Sequence, residues 1–89
     1  MFEQMKIAAA DNLKLPKDVV LGEVLVSFVG RSCVIVENYR GILIYDDSTV
    51  KLQAKHCKLQ FCGKRLHIDY YNHDEMKISG WIQSMEFGE

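Results

Sequence analysis

Thr49-Val50-Lys51-Leu52-Gln53-Ala54 is the stretch that decides the fold class, because polar and apolar residues alternate along it at every position. Successive side chains of a β-strand point to opposite faces, so this alternation predicts a strand with one buried face and one face in water. The same pattern recurs at residues 58–61 and 65–70. Between residues 23 and 87, turn-forming residues interrupt it at short intervals, which is typical of an antiparallel sheet.

The predicted fold is all-β. We expect an antiparallel meander of seven or eight short strands that curls into a small barrel or sandwich. The segments are residues 18–21, 24–29, 32–37, 42–45, 49–54, 57–62, 65–70 and 76–87. Gly63-Lys64 is expected to end one strand, and Gly80 is expected to bend the last one, because an interior glycine often marks a bulge.

The N-terminal residues differ from the rest in pattern. Phe2, Met5, Ala9 and Leu13 have helical spacing, and Pro16 ends the predicted helix because the residue before a proline is disfavoured in the helical region. The domain organisation predicted for the 89 residues is therefore a short helical segment at residues 1–14, followed by a single β domain at residues 15–89.

Composition excludes several classes of protein. A hydrophobic content of 48% argues against a disordered chain, and a formal net charge of −1 provides no overall field for nucleic acid or membrane. The apolar runs are far shorter than the roughly 20 residues that span a bilayer. The first residues lack the basic and apolar regions of a secretory signal. We therefore expect a cytoplasmic protein.

Cysteine, histidine and acidic residues are present, but their spacing does not match that of a metal or catalytic site. The three cysteines have no repeated spacing and are expected to be small buried hydrophobes in a reducing compartment. His56 and Cys57 are adjacent, so on a strand they point to opposite faces, and zinc-ligand spacing is absent. The acidic pairs lie in predicted turns. We expect no catalytic, cofactor or metal site, and hence no enzyme.

One stretch of the chain is basic. Residues 48–68 carry five cations and no acidic residue: Lys51, Lys55, Lys58, Lys64 and Arg65. They indicate either a solvated outer face, whose lysines keep sheet edges from pairing, or a contact surface to which Lys51, Lys58 and Arg65 contribute. The alternative function that this face suggests is a small β-barrel that binds nucleic acid.

The segment Glu37-Asn38-Tyr39-Arg40-Gly41 is predicted to be a structural turn. Asn38 and Gly41 both tolerate positive φ, and Gly41 is expected to adopt it. Tyr39 and Arg40 at its apex are residue types that are favoured at interfaces, so we expect them to contact a partner.

Two apolar features need cover. The segments 24–29, 32–36 and 42–45 are apolar on both faces, so we expect the N-terminal helix, a second sheet layer, a second copy of the chain or a partner to cover them. Trp81, Met85 and Phe87 are predicted to share one face and to complete the core.

Three segments together carry a family resemblance. They are Leu15-Pro16-Lys17-Asp18-Val19-Val20, the turn at residues 37–42, and Ile78-Ser79-Gly80-Trp81-Ile82-Gln83-Ser84-Met85-Glu86-Phe87. In this order they resemble the YabP/YqfC family of sporulation proteins, and the first segment looks most like the YqfC branch. The resemblance extends over residues 13–87.

The resemblance implies a small protein of endospore-forming Firmicutes that is made during sporulation and needed for it. Because family members are encoded beside membrane sporulation proteins, it also implies a membrane-bound protein partner. It supplies no catalytic residues to carry over. The expected function is a non-enzymatic, cytosolic interaction module that forms a homo-oligomer or docks as a monomer on that partner and so lies peripherally at the membrane, with no cofactor and no small-molecule substrate.

Overall fold

The computed structural model describes residues 22–89, and within them six strands form one antiparallel sheet. The strands are β1 (Leu25–Val29), β2 (Cys33–Glu37), β3 (Gly41–Tyr45), β4 (Thr49–Gln53), β5 (Lys58–Tyr71) and β6 (Glu75–Gly88). Their order in the sheet is β1-β2-β6-β5-β4-β3, so β1 and β3 are its two edges. The all-β prediction is confirmed, whereas the predicted N-terminal helix and the strand at residues 18–21 lie outside the described residues.

The predicted break at Gly63-Lys64 is wrong. The segments predicted as two strands, 57–62 and 65–70, form the single strand β5, which stays paired with β6 through a bulge: Gly63 lies opposite Ile82 and Lys64 opposite Trp81. Gly63 therefore marks a bulge in β5 and not a turn. The two strands approach so closely there that a side chain does not fit, because a Cβ on Gly63 would lie 1.9 Å from the Trp81 carbonyl oxygen.

The meander is interrupted once. β2 pairs with β6 rather than with β3, so the chain crosses from one side of the sheet to the other between Glu37 and Gly41. Each remaining neighbour in sequence is a neighbour in the sheet, as the meander predicts.

The predicted bend at Gly80 is confirmed. Gly80 has a φ of 133°, and opposite it Arg65 has a φ of 54°, while the β5–β6 register shifts between Lys64 and His67. Before the bend β6 pairs with β2, and the first part of β5 pairs with β4. The bend therefore divides the sheet into two halves that curl toward each other.

The two halves have the same construction. β2 and β4 show the same alternation of half-buried and buried residues. Ser32, before β2, accepts a hydrogen bond from the Gly80 amide at 3.1 Å, and Ser48, before β4, accepts one from the Gly63 amide at 3.0 Å. The fold thus repeats one unit twice: a two-stranded hairpin, β1–β2 or β3–β4, pairs with a long bent strand, β6 or β5 respectively.

The core lies on the inner face of the curled sheet. One cluster of buried residues joins four strands: Val34, Val36, Val50, Leu52, Leu59, Phe61, Leu66, Met76, Ile78 and Ile82. Two strands, β6 and β5, lie between β2 and β4 in the sheet, yet both β2 and β4 contribute to this cluster, so the sheet must curve around it. Phe28 of edge strand β1 packs edge-on against Phe61 with ring centroids 6.3 Å apart.

The apolar residues at the C-terminal end are less buried than predicted. Trp81 is 47% exposed and Phe87 67% exposed, while Met85 is half-buried against the core. Trp81 does not share a face with the other two, because the register shift between Cys62 and Gly63 leaves Gln83 as an extra residue on β6. Trp81 points outward, and its ring centroid lies 4.3 Å from the Arg31 guanidinium carbon. The prediction that these three residues complete the core is wrong for Trp81 and Phe87.

Candidate binding cleft

An open cleft among the described residues has a volume of about 710 Å³. It lies where the crossover from β2 to β3 meets the turn between β5 and β6. Residues 38–42 and 71–73, with Gly22, line it. We call it the Tyr39 cleft, and it contains all four residues that the sequence predicted for a turn and contact at residues 38–41.

Asn38 makes the turn at the back of the Tyr39 cleft. It adopts a φ of 67°, which asparagine tolerates better than most residues. Its amide donates a hydrogen bond to the Asp74 carbonyl at 3.0 Å, and its Nδ2 donates one to the Glu23 carbonyl at 2.8 Å. Asn38 thus has the positive φ that the sequence analysis allowed for it, and its role as a structural turn residue stays a prediction.

Gly41 does not play the predicted part. Its φ is not positive, and a Cβ built on it would meet nothing within 4 Å. The chain does not reverse at this point; it crosses to β3, and Asn38 alone supplies the left-handed residue. The prediction of a positive φ at Gly41 is wrong.

Tyr39 joins the two walls of the cleft. Its side chain is half-buried against the core, and its hydroxyl donates a hydrogen bond to the Asn72 carbonyl at 2.7 Å. Burial, and secondarily the neighbouring Tyr71, raises the pKa of the Tyr39 hydroxyl above its ordinary value of 10.0, so the hydroxyl stays a neutral donor. Tyr39 therefore holds the cleft in shape and presents one side of its ring.

Arg40 is the cation of the cleft. Its amide donates a hydrogen bond to the Gln53 carbonyl at 2.7 Å, which fixes the backbone beside β4. Its side chain is exposed and makes no hydrogen bond or ion pair with residues 22–89. Guanidinium groups recognise carboxylates through paired hydrogen bonds, so this side chain is available to an acidic ligand.

The rest of the lining suits the same kind of ligand. Among the described residues that line the Tyr39 cleft there is no carboxylate, while Ile42 and the ring of Tyr71 add apolar surface and His73 adds a second nitrogen-bearing group. Such a surface, partly aromatic and positively charged, fits a segment that carries an acidic group beside an apolar one.

The other predicted contact residues lie elsewhere. Lys51 and Lys58 are on the outer face of β4 and β5, beside a smaller depression that also includes Glu86. Arg65 lies at the bend. The structure therefore interrupts the basic stretch with an acidic residue and separates Arg65 from the other two, and it offers no support for a nucleic-acid surface.

A polar cluster that the sequence analysis missed lies on the outer face of β5 and β6. The Asp69 carboxylate accepts a hydrogen bond from the Ser79 hydroxyl, lies 2.9 Å from His67 Nε2, and lies 3.8 Å from Lys77 Nζ. The signal available was the period-two spacing of His67 and Asp69, but their partners come from another strand.

This cluster contains serine, histidine and aspartate in an order that does not activate a nucleophile. In a catalytic triad histidine lies between serine and aspartate and takes the serine proton. Here Asp69 lies between Ser79 and His67, so no base contacts the hydroxyl except the carboxylate itself. Among residues 22–89 no group of three metal-ligating side chains comes together, and the three cysteines are free.

The fold and the cleft define a small all-β protein with an open cleft that carries one exposed guanidinium, that of Arg40. The chain belongs to the YabP family, whose family model matches residues 22–89. It is also similar to the uncharacterized protein YqfC of Bacillus subtilis (strain 168), with 28% identity over 86 residues, which covers 97% of this chain and 92% of that protein. The family resemblance noted in the sequence is thereby confirmed.

Two further comparisons complete the description. No solved structure matches the chain. Within residues 22–89 we find no helix with the length and apolar character needed to span a membrane.

Proposed function

We propose that this chain is a non-enzymatic sporulation protein that binds a protein partner through the Tyr39 cleft. The observation that carries the proposal is Arg40, an exposed cation with no side-chain partner in residues 22–89, set in a cleft of about 710 Å³ without carboxylates. A cation at the rim of a preformed, partly apolar cleft is the arrangement expected of a recognition site.

Family membership supports the biological setting. The family match over residues 22–89 supports the resemblance to sporulation proteins, and the partner that this resemblance implies is a membrane-bound sporulation protein. We propose that the protein acts in the cytoplasm and is held at a membrane by that partner.

The proposed absence of catalysis has its own support. The one serine, histidine and aspartate cluster in residues 22–89 has Asp69 in the central position, and the Tyr39 cleft offers no nucleophile next to a base. These residues are better suited to binding a partner than to catalysing a proton transfer. The contact roles of Lys51, Lys58 and Arg65 stay predictions.

The test is a charge reversal in the cleft with a matched control outside it. Arg40→Glu should lower spore yield and reduce recovery of the tagged full chain with the membrane fraction of sporulating cells, because the cleft would repel an acidic segment. Lys64→Glu, the same reversal at the exposed bend, should leave both unchanged. Equal spore yields and equal membrane recovery for Arg40→Glu and the wild type would reject the proposal.

A further inference from the structure

The outer edge of β3 is apolar along its length. Four residues in succession are substantially exposed: Ile42 38%, Leu43 47%, Ile44 43% and Tyr45 50%. Within residues 22–89, β3 pairs only with β4, so one side of its backbone has no ladder partner. Gly41–Tyr45 contains neither charge nor proline, two of the devices with which natural edge strands discourage pairing, and its one irregularity is a register shift against β4 that leaves Leu43 as a bulged residue.

The charges that flank this edge have opposite signs at its two ends. Arg40 precedes β3, and Asp46 and Asp47 follow it. The side chains of Arg40 and Asp47 are exposed and make no hydrogen bond or ion pair with the part of the chain that the structure describes. When two copies of such an edge run antiparallel, the cation of each copy lies next to the two anions of the other.

We propose that β3 pairs antiparallel with β3 of a second copy of this chain, which would extend the sheet across a two-fold axis near Leu43. Arg40 of each copy then lies beside Asp46 and Asp47 of the other until an acidic partner segment replaces them in the Tyr39 cleft, and the exposed apolar side chains of the two strands meet between these charges. A parallel pairing would put like charges together, which is unfavourable between neighbouring strands. A two-fold arrangement of one patch against itself is the commonest form of homo-oligomer.

The other edge strand does not offer the same complementarity. β1 is also flanked by opposite charges, but both are engaged within the chain. Glu23 lies 3.2 Å from His56 Nε2, while the Arg31 guanidinium covers the Trp81 ring at 4.3 Å and its Nε donates a hydrogen bond to the Ile82 carbonyl at 3.3 Å. These two side chains could pair with the opposite charge of a second copy only by giving up these contacts, so β3 is the edge that we assign.

The free edge of β3 is also held in place before any partner arrives. The Tyr45 hydroxyl accepts a hydrogen bond from the Ile68 amide at 3.0 Å, which ties the end of β3 to β5. At its start, the Arg40 amide is bonded to the Gln53 carbonyl at 2.7 Å. A strand fixed at both ends loses little conformational entropy when it pairs, and this favours association.

Sedimentation velocity on the full chain over a range of concentrations tests the pairing. The wild type should form dimers. Arg40→Asp alone and Asp47→Arg alone should each raise the dimer dissociation constant about tenfold or more, because each brings like charges together. In the double variant R40D/D47R, residue 40 regains an opposite charge at position 47 of the other copy while Asp46 still lies beside it, so the constant should fall below that of either single variant without reaching the wild-type value.

A second pair of variants separates the two edges. Ile44→Lys should abolish the dimer, whereas Val29→Lys, the same kind of change on β1, should leave it intact, with circular dichroism to confirm that both are folded. A strictly monomeric wild type, a double variant no better than its parents, or dissociation by Val29→Lys alone would overturn the proposal. The double variant R40D/D47R also separates this proposal from the cleft function. It still carries a negative charge at position 40 of the Tyr39 cleft, so it should dimerise better than either single variant and still fail to bind the partner.

Discussion

Replacement of Gly80 by alanine tests the bend on which both halves of the sheet depend. Gly80 has a φ of 133°, and a Cβ on it would lie 2.5 Å from the Arg65 carbonyl oxygen and 2.9 Å from the Leu66 Cα. The backbone strain alone costs of order 1–3 kcal/mol. The clash adds to it, because the atoms that would have to move belong to the backbone of β5 and not to a flexible side chain.

We therefore expect Gly80→Ala to lower the free energy of unfolding by at least about 3 kcal/mol, a large share of the total for a chain of this size. At about 4–8 °C per kcal/mol, the melting temperature should fall by about 12 °C or more. Urea unfolding followed by Trp81 fluorescence gives the free energy, and thermal circular dichroism gives the melting temperature.

Two other glycines serve as matched controls. Gly30 has a φ of 58° with nothing within 4 Å of a built Cβ, so Gly30→Ala should cost only the strain, about 1 kcal/mol. Gly41 has neither a positive φ nor a close neighbour, so Gly41→Ala should change stability by less than about 0.5 kcal/mol. If Gly80→Ala costs no more than Gly30→Ala, the close approach of β5 and β6 at the bend is not what holds the sheet in its curled form.

The remaining predictions concern the core and the pH dependence of stability. Phe61 is fully buried, so Phe61→Ala should cost about 3–5 kcal/mol in urea unfolding, whereas Phe87→Ala, at a residue 67% exposed, should cost less than about 1 kcal/mol; equal losses would contradict the assignment of the core. The pKa of Asp46 is lowered below its ordinary value of 3.8, chiefly by a hydrogen bond from the Ser48 amide. The stability that the ionised Asp46 contributes is therefore present above pH 3.8 and lost as the pH falls through the lowered pKa. Asp46→Asn should flatten this part of a plot of unfolding free energy against pH. If the plot is the same for the variant and the wild type, Asp46 does not stabilise this turn through its hydrogen bonds.

Local pattern was sufficient to predict most of the strands. The alternation at residues 49–54 places Val50 and Leu52 in the core, where both are fully buried. The bend at Gly80 was predictable because a glycine in the interior of a long alternating strand often marks a bulge or a bend. The break predicted at Gly63 failed because a glycine before a lysine looks the same in a turn and in a bulge, and only the pairing with β6 distinguishes them.

The candidate site was half predictable. Tyr39 and Arg40 were chosen as contact residues from their residue types, and both line the cleft. The opposite wall, Tyr71 to His73, is far away in sequence and comes into place only because β2 pairs with β6 instead of β3. The repeat of the two halves was also hidden, since the equivalent strands share a burial pattern and a preceding serine but few residues.

Site-specific photocrosslinking in sporulating cells tests the central claim most directly. The full chain would carry benzoylphenylalanine in place of His73 in the Tyr39 cleft or, as a control, in place of Lys64 at the bend. We predict an adduct with one membrane-fraction protein from position 73, its loss when Arg40→Glu is added, and no such adduct from position 64. Equal adducts from both positions, or an adduct at position 73 that survives Arg40→Glu, would contradict binding through the cleft.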